Sequence, residues 1–177
     1  WILVYGNSDS CPKLLLVASA FSSAFGNGAT KGPTEKERSA VGLAKKISVQ
    51  CDTDIPLLFM RFDKDAKEIS SVDIMEVPVR ENSPASQNKG KLSRVSFEEL
   101  VRIFQSKGLS VQENAGRTRK YLNKQNSSAY HEWQRENLGK DIKVTDMDLF
   151  RLDNDGRISD VYELKRSYIP LERWEPY

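Results

Sequence analysis

The sequence predicts an α/β domain, a mixed β-sheet flanked by helices, and three stretches carry that expectation. Ile55 to Phe62 (IPLLFMRF) is a nearly continuous apolar run, the pattern of a central strand covered on both faces. Thr34 to Val49 (TEKERSAVGLAKKISV) has a helical pattern and opens with Thr34 and Glu37 at the spacing of a capping box. Near the C-terminus, two strand-like segments flank Asp153-Asn154-Asp155-Gly156, which reads as a β-hairpin.

A chain of 177 residues with 38% hydrophobic content can bury one core, so a single domain spanning 1–177 is expected. Within it, 1–81 would complete the sheet, 82–91 (NSPASQNKGK over Asn82 to Lys91) has linker composition, and 92–177 carries the hairpin.

The elements follow in order. Trp1 to Tyr5 (WILVY) reads as a strand and Lys13 to Phe25 as a mostly apolar helix. Gly26-Asn27-Gly28 is a turn and not a phosphate loop, because the lysine and hydroxyl of such a loop are not at its spacing. After the helix Thr34 to Val49 and the strand Ile55 to Phe62, a further strand is expected at Ser71 to Val79. Together these two strands faintly echo the later hairpin, with Val77 where that hairpin has a lysine, and are taken as structural. Ser96 opens a helix through Ser106, in which Phe97, Leu100, Val101 and Phe104 form an apolar stripe that Gly108 ends. Ser127 to Leu138 (SSAYHEWQRENL) is a third helix, with Ser127 or Ser128 as its cap and Gly139 at its end. Val144 to Leu152 alternates as a strand, and Arg157 to Arg166 resumes after the turn.

Chemistry concentrates on that hairpin. For a short loop, positions on one strand pair with positions of opposite parity on the other, so Asp146 and Asp148 are expected on the same face as Val161, Glu163 and Lys165. Mg²⁺ takes oxygen ligands and is held by one or two carboxylates plus water and substrate oxygens, which Asp148 and Glu163 suit. A lysine two residues after the glutamate shares its face and is placed to orient or deprotonate water, or to stabilise phosphate charge. The same residues could also form a surface salt-bridge ladder of little energetic weight.

The order Asp148-Leu149-Phe150, a hairpin turn, then Tyr162-Glu163-Leu164-Lys165 resembles the PD-(D/E)xK nuclease superfamily, whose fold is restriction-endonuclease-like. The resemblance implies Asp148 and Glu163 as metal ligands, the backbone carbonyl of Leu164 as a third, and Lys165 as the catalytic lysine. Asp146 is a secondary ligand candidate; Asp148 is preferred because Leu149 and Phe150 follow it. The proline that often precedes the family's aspartate is replaced by Met147. The family often adds an acidic residue on a preceding helix, which points to Glu132 ahead of Glu136; alternatively both glutamates are solvated and Trp133 alone faces the core. The implied activity is Mg²⁺-dependent hydrolysis of nucleic-acid phosphodiesters, with Mn²⁺ able to substitute and DNA placed ahead of RNA. The alternative is a non-catalytic nucleic-acid-binding module with a nuclease-like fold.

Such cores continue past the Glu-x-Lys strand into a helix and a further strand, yet only eleven residues follow Arg166. The missing pieces resemble Thr34 to Val49 and Ile55 to Phe62, so the order of elements is expected to be circularly permuted, or else the chain is a fragment whose halves are completed by a partner or by an unseen segment. A permuted chain would place Ile55 to Phe62 in one sheet with Val161 to Lys165, and bury Leu43 and Ile47 of the helix.

A net charge of +2 neither demands nor excludes nucleic acid. Arg117, Arg119, Lys120 and Lys124 form a run suited to a phosphate backbone, and Lys89, Lys91 and Arg94 lie upstream. Cys11 and Cys51 are too few and too far apart for a metal knuckle and are expected as buried thiols of an intracellular protein, cytoplasmic or nucleoid-associated. No apolar run is long enough to span a membrane. A calcium loop at Asp153 to Gly156 would lack its first and last ligands, Arg151 and Tyr162 standing there. A homo-oligomer is compatible with these features.

Overall fold

Leu14, Leu16 and Ala18 pack into one hydrophobic cluster while Leu15 and Val17 pack into another. Alternation of that kind has period two, so Pro12–Phe21 is a strand (β2), not the helix that its apolar run suggests. The run carries no polar stripe because both of its faces are covered. In this computed structural model, the described residues are 1–7, 11–22, 32–50, 54–66, 70–80, 91–111, 129–139, 141–147 and 149–162.

Five other strands share the sheet with β2: β1 (Ile2–Asn7), β3 (Leu57–Asp63), β4 (Ser71–Val77), β5 (Ser93–Ser96) and β6 (Ile142–Asp146). Their order is β5-β4-β3-β2-β1-β6, with only β2 and β3 parallel. Helix α1 (Glu35–Gln50) makes the crossover that this parallel pair requires. It buries Ala44 and Ile47 against Leu15, Val17, Leu57 and Phe59, whereas Leu43, expected inside, is only partly buried. On the opposite face, α2 (Phe97–Ser106) and α3 (Ala129–Asn137) contribute Leu100, Phe104, Tyr130 and Trp133 to the cluster of Leu3, Tyr5, Leu14, Leu16, Leu58 and Met60. Three layers result, helix, mixed sheet and helices, as the α/β expectation required. Strands from both sides of the 82–91 stretch share the one sheet, since β5 pairs with β4 and β6 with β1; residues 81–90 themselves lie outside the described set.

Local chemistry fixes the helices. At the start of α1, Glu37 N–H donates to Thr34 Oγ1 (3.3 Å) and Thr34 N–H donates to Glu37 Oε2 (2.7 Å), the reciprocal capping box expected there. Ser96 Oγ accepts from Glu99 N–H at the start of α2, and Gly108, at φ 85°, follows its end. Gly139 plays the same part after α3 at φ 81°.

Glu37 has a second task. Arg61 on β3, 3% exposed, donates from Nε to Glu37 Oε1 (2.8 Å) and from Nη2 to Glu37 Oε2 (2.5 Å) and to Gly32 O (3.0 Å). Ser19, Arg61, Asp73 and Arg94 stand in register across β2, β3, β4 and β5 on the α1 face. Arg94 Nε donates to the buried Asp73 (2.9 Å), so this polar row alternates in sign from Arg61 to Arg94. Burial alone would push the Glu37 carboxyl up; hydrogen bonds from Arg61, the Thr34 backbone, Ser19 and the Thr34 hydroxyl carry it down to about 2.

The segment Val144 to Leu152 is not one strand. It splits into β6, paired with β1 in the large sheet, and β7 (Leu149–Leu152), paired only with β8 (Ile158–Tyr162) in a separate two-stranded sheet. Met147 N–H donates to Ile2 O (2.9 Å), so the β1 ladder holds the chain up to that residue before it leaves for the hairpin. Among the described residues β8 therefore does not share a sheet with β3, and the expected permuted pairing is corrected. The apolar run IPLLFMRF does take an interior place, but between β2 and β4 and not in one sheet with β8.

Candidate functional site

Asp153 shapes the hairpin. Its Oδ1 accepts from Asp155 N–H (2.9 Å) and Arg157 N–H (2.8 Å), while Gly156 N–H returns to Asp153 O (3.0 Å) with Gly156 at φ 72°. This carboxylate is engaged by the backbone of its own turn, and strands flank it. The register then runs Leu152↔Ile158, a bulge, Arg151↔Asp160, Phe150↔Val161 and Leu149↔Tyr162. Beyond the bulge every pair joins positions of opposite parity, as the sequence predicted. Arg151 Nη2 and Asp160 Oδ2 form a cross-strand ion pair at 2.5 Å, and Ser159 Oγ donates to Arg151 O (3.2 Å).

The hairpin docks on the end of α1. Gln50 Oε1 accepts from Ile158 N–H (3.0 Å), Gln50 Nε2 donates to Ile158 O (3.3 Å), and Lys46 Nζ donates to Gly156 O (3.3 Å). Ile158 and Met147 pack against the α1-face cluster. Nothing in the sequence marks Gln50 for this role, since 108 residues separate it from Ile158.

The expected site residues Asp148, Glu163, Leu164 and Lys165 lie outside the described residues, as do Arg117, Arg119, Lys120, Lys124, Lys89, Cys51 and Gly26 to Gly28. Two described candidates are displaced from the hairpin. Asp146 is in β6 opposite Leu3, whose side chain belongs to the α2/α3-face cluster, and cross-strand partners share a face. It acts electrostatically on His131, Tyr5 and the Trp1 amino group, and Asp148, the residue expected to share its strand face, lies outside the described residues. Glu132 is exposed on α3, as is Glu136, on the layer opposite the one where the hairpin docks. Tyr130 and Gln134 join Trp133 inside, so Trp133 is not alone there. Cys11, expected buried, is exposed.

Around Asp146 lies a polar cluster that the sequence did not announce. Tyr5 and Tyr130 share a hydrogen bond between their hydroxyls (2.8 Å), fully buried. Burial pushes both phenols up, Tyr5 further through Tyr130 and Asp146. His131 stands edge-on to Trp1; burial lowers its imidazole below the usual range and Asp146 partly opposes this. Among the described residues no group of three or more histidine, cysteine, aspartate or glutamate side chains could hold a metal ion, and no helix is long and apolar enough to cross a membrane.

No family model, curated protein or solved structure matches the chain.

Proposed function

We propose that the β7–β8 hairpin carries a Mg²⁺-dependent site for hydrolysis of nucleic-acid phosphodiesters. The observation that supports this is the hairpin register: Leu149 stands opposite Tyr162, and Asp148 and Glu163 are the next residues in sequence beyond that pair. Directly opposed residues have Cβ atoms about 5 Å apart. Two carboxylates at that spacing suit one Mg²⁺ with metal–oxygen distances of about 2 Å. The chemistry of the donor set therefore fits the ion, with the Leu164 carbonyl as a further ligand.

Mg²⁺ at this position would neutralise phosphate charge and activate water. Asp148 and Glu163 would hold it, and Lys165, two residues after Glu163, would take the proton of the attacking water or stabilise phosphate charge. Arg117, Arg119, Lys120 and Lys124 supply phosphate contacts along the strand, with DNA ahead of RNA and Mn²⁺ able to replace Mg²⁺. Asp146 in β6 and Glu132 on α3 belong to elements other than the hairpin. In this reading, the six-stranded sheet with helices on both faces is the body of a restriction-endonuclease-like domain, and the catalytic hairpin hangs from α1 instead of entering the sheet.

The test is cleavage of plasmid DNA in Mg²⁺. Asp148→Asn and Glu163→Gln are each expected to abolish cutting without loss of the fold. Lys165→Arg should keep DNA binding and lose turnover, because arginine is not deprotonated. Normal cutting by Glu163→Gln would refute the site, and wild-type binding without cutting would favour the non-catalytic binding module.

A further inference from the structure

We infer that Gln50 is a positioning residue that sets the orientation of the hairpin against α1, and through it the geometry of the site. A two-stranded hairpin is marginal by itself and takes its orientation from whatever it packs on. Here β7 and β8 pair with each other and with no strand of the large sheet. What joins them to the body is one face of α1: Lys46 and Gln50 lie four residues apart, on successive turns of the same side.

The Gln50 amide behaves as a one-residue strand partner. It offers an acceptor to Ile158 N–H and a donor to Ile158 O, the two groups that an antiparallel neighbour would engage, and so satisfies the outer edge of β8 at its first residue. One helical turn earlier, Lys46 reaches the carbonyl of Gly156. A Cβ on Gly156 would stand 3.3 Å from Lys46 Nζ, so the glycine that closes the turn also leaves room for this approach. Ile158 adds an apolar contact with the α1-face cluster between these polar ones. Ile158 stands four positions before Tyr162 on the same strand, so a change in its seating tilts the whole strand that runs toward Glu163.

The consequence for cleavage rests on the hairpin being the catalytic element; the contact itself does not. The experiment pairs amide hydrogen exchange at Ile158 with steady-state cleavage for wild type, Gln50→Ala and Gln50→Glu. Gln50→Ala removes both hydrogen bonds, and exchange at Ile158 should accelerate about tenfold. Gln50→Glu keeps the acceptor and loses the donor, so it should fall between wild type and Gln50→Ala. With the hairpin loosened, kcat should drop about ten- to a hundredfold in the same rank order while KM stays near wild type. Unchanged exchange at Ile158 in Gln50→Ala overturns the inference, as does accelerated exchange with unchanged kcat. If wild type cuts nothing, the nuclease reading falls and the exchange alone decides: acceleration supports the Gln50 contact, and no change overturns it.

Discussion

Replacing Glu37 by glutamine leaves the Arg61 guanidinium, 3% exposed, without its counter-charge in the middle of the sheet. The carboxyl falls from an ordinary 4.5 to about 2 in the folded protein. A depressed carboxyl contributes stability that is present above its unfolded value and lost as pH falls through its folded value, here from about 4.5 to about 2. At 1.36 kcal/mol per unit this amounts to about 3 kcal/mol at neutral pH. Breaking a buried pair costs about 3–5 kcal/mol in general, so both routes agree on the size. The assay is urea unfolding of wild type and Glu37→Gln, followed by circular dichroism, at pH 7, 5, 4 and 3. Taking the difference between the two proteins cancels the other carboxylates. The gap should be about 3 kcal/mol at pH 7 and narrow by about 2 kcal/mol at pH 3. A gap below about 1 kcal/mol at pH 7, or one that does not change with pH, would mean that the Glu37–Arg61 pair does not stabilise the fold.

Two further outcomes follow from the packing. Tyr5→Phe should cost about 1–3 kcal/mol, because it strands the buried Tyr130 hydroxyl, while Tyr5→Phe with Tyr130→Phe should cost less than the sum of the single changes; additive costs in a double-mutant cycle would refute the pairing. Gly156→Ala should destabilise by about 1 kcal/mol, from its φ of 72° and the crowding of Lys46, and an unchanged urea midpoint would count against both.

What the sequence made legible was whatever is local. The α1 capping box, the Ser96 cap and the Gly108 stop of α2, and the Asp153 to Gly156 turn are set by residues within four positions of one another, and each stands where expected. The strand β2 was misread because a run buried on both faces loses the alternation that tells strand from helix. The break between β6 and β7 carries no turn residue at Met147, and what diverts the chain is the β1 ladder, which holds Met147 N–H to a residue at the far end of the sequence. Partners distant in sequence were invisible for the same reason: Tyr5 with Tyr130, and Gln50 with Ile158. Arg61 did leave a signal, as the single charge inside IPLLFMRF, and a charge in such a run demands a buried partner. For the candidate site, the parity of the hairpin was legible, and the membership of Asp146 in it was not, because face assignments carry over only within one unbroken strand.

Anomalous diffraction from crystals of the protein soaked in Mn²⁺ would locate a metal ion held by Asp148 and Glu163. One anomalous peak is expected, with a carboxylate oxygen of Asp148 and one of Glu163 each about 2 Å away, and it should be absent from Glu163→Gln crystals. A Mn²⁺ peak elsewhere, or none at the hairpin in wild-type crystals, would contradict that placement.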